Sequence, residues 1–241
     1  MSEDQVDGAA IDGPGVADAR ADAGFDAGAN TFCGGQTGAL FCQDFDTGTL
    51  VEQGWVVTTT PGANLTLISS QRSTPFALEA RTPQSDGASA SEARVTRSMD
   101  LPVTAQTVRL AFDVEFVQRD GALLPKMAVA FNTDGYEVDL FSNGVSETYV
   151  LVYSPDGFQQ AFDSVPLGTF ARYELTLTRS GTTLVLGVTR DGAPIANGAD
   201  VATPAPAPAP GATWTLQMGA MNTSSNGPCT FVFDNVLITA S

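Results

Sequence analysis

The chain has 241 residues, with 11 Lys and Arg against 27 Asp and Glu, so its formal net charge is −16 at pH 7. A protein that neutralises nucleic-acid phosphates needs the opposite balance, so we expect no nucleic-acid partner. The sequence has no His and a single Lys, Lys126, which excludes His metal ligands, Ser-His-Asp triads and His-dependent acid/base catalysis. The 24 Gly and 14 Pro recur as turns between short apolar runs. This is typical of an all-β protein, and one such domain commonly fills roughly 200–250 residues.

Residues 1–31 differ in composition from the rest of the chain. They are rich in Asp, Ala and Gly, and their only large apolar residues are Val6, Ile11, Val16 and Phe25. Such a segment cannot bury enough apolar surface to fold. We therefore predict a disordered acidic tether over residues 1–31 and one domain over residues 32–241. No apolar run approaches the roughly 18 residues of a membrane span, and no signal peptide precedes the tether, so the protein is either intracellular or has lost a leader.

The three cysteines help to decide between these locations. Cys33 and Cys42 are close in sequence, whereas Cys229 precedes the last predicted strand. Loop closure favours the Cys33–Cys42 pair, because its two thiols have the highest effective concentration. Three unpaired thiols in the core are the alternative. A disulfide together with the tether points outside the cytoplasm, so we expect an extracellular or outer-surface protein.

From residue 39 onward the chain reads as short strands, without a sustained period of about 3.6 residues. Alternation is clearest over Val108–Phe116, where Arg109, Asp113 and Glu115 oppose the apolar residues, and over Tyr173–Arg179. Each pattern indicates a sheet with one face in water. The predicted strands are Leu40–Phe45, Trp55–Thr60, Asn64–Ser69, Phe76–Arg81, Ala93–Met99, Thr107–Val117, Lys126–Phe131, Tyr136–Phe141, Thr148–Tyr153, Gly157–Phe162, Arg172–Arg179, Thr183–Arg190, Thr213–Met221 and Thr230–Thr239.

Three segments between these strands predict turns or loops. Arg179–Thr182 and Arg190–Gly192 have the Gly-containing pattern of tight hairpin turns. Thr203–Pro210 has Pro at every second position, which predicts an extended polyproline II loop without ladder pairing. We also assign Trp55 and Trp214, each at the start of an apolar strand, to the core.

Three further segments occur in an order that resembles a known superfamily. Phe41–Gly48 followed by Gly54–Trp55 resembles the opening of concanavalin A-like jelly rolls, Phe170–Gly192 resembles the laminin-G core, and Phe231–Ile238 is similar to the closing strand. The chain thus resembles the concanavalin A-like lectin/glucanase superfamily in its laminin-G-like form. The resemblance implies an all-β fold of two antiparallel sheets in a jelly-roll sandwich, with a concave face that many relatives use for glycans.

The tether ahead of this domain resembles those of bacterial surface lipoproteins, such as myxobacterial ones. That resemblance implies membrane attachment through a lipidated N-terminal Cys, which this sequence does not contain.

One segment matches part of a glycanase motif. Laminarinase-type glycanases of this superfamily carry Glu-x-Asp-x-(x)-Glu, in which the first Glu is the nucleophile, the Asp its partner and the last Glu the acid/base. Glu137 and Asp139 match the first two positions, whereas the third is Phe141 or Ser142. A retaining mechanism needs a second catalytic carboxyl about 5–5.5 Å from the nucleophile, so we expect no turnover. The alternative is a chance match in which both acids are simply solvated.

Aromatic side chains offer a second candidate site. Tyr149 and Tyr153 alternate on one predicted strand, and Phe158 follows on the next, after a compact turn. Aromatic rings stack on sugars, so these residues, together with Glu137 and Asp139, are our candidate ligand-binding residues. The alternative is that the rings belong to the core between the sheets. The absence of His and the negative charge argue against a polyuronate lyase.

Three aspartates suggest a structural Ca²⁺. The first and last strands of such jelly rolls are neighbours, which would bring Asp44 and Asp46 close to Asp234. The alternative is that these carboxylates accept hydrogen bonds from turn amides.

These observations favour a non-catalytic, surface-tethered jelly-roll module that binds a polysaccharide or another cell-surface protein, and we expect it to be a monomer. The alternatives are a degenerate or divergent glycanase that uses Glu137 and Asp139, and a purely structural cell-surface module.

Overall fold

The computed structural model describes residues 32–46, 48–69, 72, 74–84, 90–119, 126–133, 136–143, 147–154, 157–195, 201–206, 211–222 and 227–241. The predicted tether, residues 1–31, lies outside them. A short 3₁₀ helix, Cys33–Gly35, precedes the first strand. In chain order the strands are β1 (Ala39–Gln43), β2 (Val56–Thr59), β3 (Asn64–Ser69), β4 (Phe76–Thr82), β5 (Ser91–Asp100), β6 (Thr107–Arg119), β7 (Lys126–Thr133), β8 (Tyr136–Asn143), β9 (Glu147–Ser154), β10 (Gly157–Ser164), β11 (Phe170–Ser180), β12 (Thr183–Arg190), β13 (Ala193–Pro194), β14 (Val201–Pro206), β15 (Thr213–Asn222) and β16 (Cys229–Ala240).

The strands form two antiparallel sheets. The nine-stranded sheet has the order β13-β12-β11-β6-β16-β4-β3, with β1 also paired to β16 and β14 to β12. The seven-stranded sheet has the order β10-β9-β8-β7-β15-β5-β2. Neighbouring strands are often distant in sequence, as in a jelly roll. The described part of the chain contains no helix with the length and hydropathy of a membrane span. The predicted all-β jelly-roll sandwich is therefore confirmed.

The core lies between the two sheets and follows the alternation of the strands. On β8 the apolar residues Tyr136, Val138 and Leu140 are all 2% exposed or less and belong to the core. Trp55 and Trp214 are 2% and 4% exposed, which confirms their assignment to the core. Both hairpin turns predicted beside β12 are also present, because Ser180 pairs with Thr183 and Arg190 with Ala193.

The outer face of the nine-stranded sheet departs from the prediction at Asp113. The alternation on β6 predicts a solvated side chain, but Asp113 is 2% exposed. Its carboxylate accepts hydrogen bonds from Asn235 Nδ2 at 2.7 Å and from Arg172 Nη1 at 3.3 Å, and Arg72 Nε lies 3.3 Å away. The prediction was wrong because alternation assigns the face of the sheet but not the side chains that cover it.

The prolines also do not prevent pairing. Within the predicted loop, β14 pairs with β12, with Leu184 opposite Thr203 and Thr183 opposite Pro206 around a bulge. An edge strand needs hydrogen bonds on one side only, and the bulge leaves Pro204 out of the ladder, so prolines are tolerated there. Residues 207–210 lie outside the described residues.

The N-terminal end of the domain is tied to its C-terminal strand. Cys33 and Cys42 form a disulfide, with their Cα atoms 5.6 Å apart, which confirms the predicted pair. Cys229 is a buried thiol outside this disulfide, and its Sγ lies 3.0 Å from Thr82 Oγ1. Strand β1 pairs with β16, so the first and last strands are neighbours as predicted. The Phe32 ring covers the Arg172 guanidinium, 5.1 Å from the ring centroid.

Candidate functional site

The face of the seven-stranded sheet that points away from the core is lined with polar residues. On β8 the residues that alternate with the core positions are Glu137, Asp139 and Phe141. The register places Ala130 of β7 opposite Asp139, and Gln217 of β15 opposite Ala130. We call this surface the polar face and define it by Thr96, Ser98, Asn132, Glu137, Asp139, Thr215 and Gln217.

Glu137 and Asp139 form a carboxyl pair on the polar face. Asp139 is 1% exposed, and its carboxyl group is hydrogen-bonded to that of Glu137. Burial raises the pKa of Asp139 to about 9, and the negative charge of Glu137 and the hydrogen bond act in the same direction. Asp139 is therefore protonated at neutral pH and can donate a hydrogen bond, whereas a solvated carboxylate could only accept one.

The alternative in which both acids are solvated is therefore wrong for Asp139. Its strand, β8, is an inner strand of the sheet with β7 and β9 on either side, so neighbouring side chains exclude water from it. Asp139 Oδ1 is also buried without a hydrogen-bond partner. A buried carboxyl with an unused acceptor is unfavourable for folding, and this combination is common at functional sites.

No third carboxyl follows the pair along β8. The next residue on the same face is Phe141, which is 8% exposed and packs against Met127. Ser142, the other position allowed by the motif, is 1% exposed. The carboxyl groups of Glu137 and Asp139 are hydrogen-bonded to each other. They therefore do not lie on either side of a sugar linkage, as the two catalytic carboxyls of a retaining glycosidase do at a separation of about 5–5.5 Å.

A second polar cluster lies on β5 and β15. The Arg94 guanidinium pairs with Glu92 at 2.9 Å through Nε and donates to Gln217 Oε1 at 2.5 Å through Nη1. The sequence does not identify these residues as a cluster, because Arg94 and Gln217 are 123 positions apart and their contact depends on the pairing of β5 with β15. The sequence indicates only that Arg94 lies on the outer face of β5, because it alternates with the apolar residues Ala93 and Val95.

Gly219 allows β15 to approach β5 beside this cluster. Its φ is 154°, and a Cβ there would lie 2.1 Å from the Ala93 carbonyl oxygen. Gly219 lies opposite Arg94, at a bulge where β15 shifts its register against β7. Glycine is required here because any other side chain would overlap the neighbouring backbone.

The predicted aromatic residues lie on the two strands beyond β8. Tyr153 pairs with Glu137 on one side and with Phe158 on the other, and Tyr149 pairs with Phe141. The structure describes only the backbone of these positions on β9 and β10. The backbone register thus brings Tyr149, Tyr153 and Phe158 beside the carboxyl pair, and sugar stacking by their rings stays a prediction.

The three aspartates of the predicted calcium site each accept a backbone hydrogen bond instead. Asp44 accepts from Cys33 N at 3.1 Å, Asp46 from Phe76 N at 3.0 Å, and Asp234 from Asn235 N at 2.8 Å. Within the described ranges, no three His, Cys, Asp or Glu side chains are grouped so that they could hold a metal ion. Among the described atoms of these three carboxylates, Asp46 Oδ2 is the one that is buried without a hydrogen-bond partner. These contacts agree with the amide-bonded alternative, and calcium binding by the three aspartates stays a prediction.

Comparisons with known proteins identify the fold. No family model and no curated protein matches the sequence. Among solved structures, the chain is similar to the cellulose induced protein Cip1 at 13% identity and a TM-score of 0.61, covering 83% of this chain and 97% of that one. It is also similar to an endo-1,3-β-glucanase from Streptomyces sioyaensis at 16% identity and a TM-score of 0.58, covering 85% and 97%.

A third similar structure is the alginate lyase AlgAT5 of polysaccharide lyase family 7, at 12% identity and a TM-score of 0.50, covering 78% of this chain and 94% of that one. At such low identity these likenesses show the fold alone, a two-sheet jelly-roll sandwich, and the same fold supports unrelated activities.

Proposed function

We propose that the polar face binds a polysaccharide and does not cleave it. The observation that carries this proposal is the Glu137–Asp139 carboxyl pair on the polar face, in which Asp139 is 1% exposed and its burial keeps it protonated. Such a pair both donates and accepts, as sugar hydroxyls do. Around it the polar face offers the hydroxyls of Thr96, Ser98 and Thr215 and the amides of Asn132 and Gln217.

The charges on this face favour a neutral polysaccharide. Arg94 is already paired with Glu92, and the Glu137–Asp139 carboxyl pair carries no positive charge. Neither group is free to neutralise a uronate, and the chain as a whole has a net charge of −16. A polyuronate would therefore be repelled.

A divergent glycanase is the second candidate. A protonated Asp139 beside the carboxyl group of Glu137 provides two neighbouring carboxyls, the groups that glycoside hydrolysis uses, and one structural neighbour is an endo-1,3-β-glucanase. The direct bond between the carboxyls favours binding over this reaction. A purely structural role is the third candidate.

The disulfide supports an extracellular location. The Cys33–Cys42 bond is typical of proteins folded in an oxidising compartment. We propose that the module acts outside the cytoplasm, with attachment by an N-terminal lipid as a further prediction.

Affinity electrophoresis through gels containing a soluble β-1,3-glucan or alginate tests the proposal. We expect the β-1,3-glucan to retard the wild type, alginate to leave it unretarded, and Glu137→Ala and Gln217→Ala to weaken retardation at least tenfold. The matched control is Glu174→Ala, on the outer face of the nine-stranded sheet opposite Ala111. Release of reducing sugar by the wild type but not by Glu137→Gln would establish the glycanase instead. The absence of retardation by any neutral glycan in a broad panel would favour the structural role.

A further inference from the structure

One edge of the nine-stranded sheet lacks the features that normally prevent strand pairing. Strand β3 pairs with β4 over six successive residues, Asn64–Ser69, without a bulge, and no described strand lies on its other side. Proteins usually protect such edges with charges, prolines or bulges. At the opposite end of this sheet, β13 and β14 contain Pro194, Pro204 and Pro206. The sequence of β3, Asn-Leu-Thr-Leu-Ile-Ser, has neither a proline nor a charge.

An apolar groove runs beside this free edge. Its volume is about 300 Å³, and it is lined by Thr49, Leu50, Val51, Leu65, Thr66 and Leu67. Val51 is 70% exposed, but its loop is fixed. Trp55 N donates to Leu50 O at 2.9 Å, and Glu52 accepts from Thr49 Oγ1 at 2.9 Å. An exposed apolar residue on such a constrained loop, next to an open strand, is typical of a docking surface.

The charges around the groove indicate what it can accept. The groove and β3 contain no charged residue, although the net charge of the chain is −16. Behind β3, Glu79 and Arg81 of β4 pair with each other at 3.6 Å, so that strand adds no net charge. Glu52, an exposed acid on the loop beside the groove, is bonded to Thr49 N and Oγ1, whereas β3 itself offers no charge to a basic or acidic partner. The edge matches an uncharged, apolar strand, and β3 is itself such a strand.

We propose that β3 pairs antiparallel with β3 of a second copy of this chain, so that the two nine-stranded sheets become continuous. An antiparallel pair of identical strands has two-fold symmetry and closes as a dimer. In this dimer the uncharged residues of the two β3 strands would lie opposite one another, and the acidic surfaces elsewhere on each copy would lie outside the interface. This dimer replaces the monomer that the sequence alone led us to expect, and it does not depend on the proposed glycan binding.

Sedimentation equilibrium of the full chain tests this proposal. We expect a wild-type mass of twice the 25.0 kDa of one chain. Thr66→Lys should weaken self-association at least about tenfold, equivalent to about 1.4 kcal/mol, because it places two like charges at the pairing edge. Val51→Lys should act in the same direction by making the groove polar. The matched control is Val103→Lys, because Val103 is 67% exposed and lies between β5 and β6, outside the groove.

Hydrogen exchange gives an independent measurement if a variant folds poorly. In the wild type, the amides of β3 should exchange more slowly as protein concentration rises, whereas those of β2, the edge of the other sheet, should not respond. A wild type that stays monomeric up to about 1 mM, where even weak contacts associate, would overturn the proposal and leave the edge to an extended segment of another protein. A dimer that persists in both variants, with β3 exchange independent of concentration, would also overturn it.

Discussion

The carboxyl groups of Glu137 and Asp139 are hydrogen-bonded to each other across one intervening residue of β8. Both residues alternate with Tyr136, Val138 and Leu140, which point into the core, so they share the polar face. Because Asp139 is 1% exposed, water cannot stabilise a second negative charge there. The Asp139 carboxyl therefore stays protonated at neutral pH, and its O–H can donate a hydrogen bond in addition to the bonds that the carboxyl oxygens accept.

Asp139→Asn should change the pH dependence of stability. The pKa of Asp139 is raised to about 9 in the folded protein, whereas the pKa of an Asp in the unfolded chain is about 3.9. Between these values the folded state binds the extra proton, so this group makes the free energy of unfolding fall as pH rises, by at most about 1.4 kcal/mol per pH unit. Asparagine mimics the protonated acid and removes this dependence.

Thermal melts of the two proteins from pH 5 to pH 9 measure the effect. We expect the variant to gain stability relative to the wild type progressively as pH rises. Burial also raises the pKa of Asp46, but Asp46 is present in both proteins and cancels in the comparison. Parallel curves over this range would mean that Asp139 is ionised in the folded protein.

Asp113→Ala should destabilise the fold strongly. It would leave two guanidinium groups, those of Arg72 and Arg172, and the buried Asn235 amide without their shared acceptor. The Arg72 and Arg172 side chains are 41% and 27% exposed, so water can replace part of their contact with Asp113. The main cost is the unsatisfied buried Asn235 amide, which lowers the free energy of unfolding by about 1–3 kcal/mol, as urea titration would measure.

The control for this measurement is Glu174→Ala. It breaks the pair between Glu174 and Arg109, whose side chain is 52% exposed, so the expected loss is below about 1 kcal/mol. If the two variants lose the same free energy of unfolding, the buried contacts of Asp113 stabilise the fold no more than an exposed ion pair does.

The sequence predicted the strands and their faces more successfully than the surroundings of individual side chains. Alternation correctly placed Tyr136 and Val138 in the core and Glu137 on the opposite face. It did not show that Asp113 and Asp139 are buried, because burial on an outer face depends on side chains from distant strands.

Long-range pairing also limited prediction of the site. Loop closure identified Cys33–Cys42, which are nine positions apart. No comparable local argument links Arg94 with Gln217 across 123 positions. The proline prediction failed for a related reason, since whether Thr203 can join a ladder depends on β14 being an edge strand with a bulge.

Loss of the Cys33–Cys42 bond should lower the unfolding midpoint. For a loop of this length, the chain-entropy model gives a stabilisation of about 2–3 kcal/mol. We expect dithiothreitol to destabilise the wild type and Cys229→Ala alike, because Cys229 is a thiol and takes no part in the disulfide. The double variant Cys33→Ser/Cys42→Ser should melt at the same temperature with and without reductant. A reductant response that disappears in Cys229→Ala would place the disulfide elsewhere.

Calcium should not change the stability of the fold. Asp44, Asp46 and Asp234 each accept a backbone amide hydrogen bond, so a cation would have to compete with contacts that already satisfy one oxygen of each carboxylate. Hard cations such as Ca²⁺ need six to eight oxygens, and Asp46 Oδ2 is the unpartnered buried carboxylate oxygen among these three residues. We therefore expect neither EDTA nor added Ca²⁺ to move the unfolding midpoint.

Differential scanning calorimetry with each additive would check this expectation. Specific binding to the folded state would raise stability by about 2.7 kcal/mol at a hundredfold excess over Kd, which is readily detected. Asp46→Asn and Asp234→Asn are the informative variants, and Asp191→Asn, on the turn between β12 and β13, is the control. A calcium-dependent rise that the first two variants abolish and the control retains would restore the calcium site and show that these amide contacts rearrange when the ion binds.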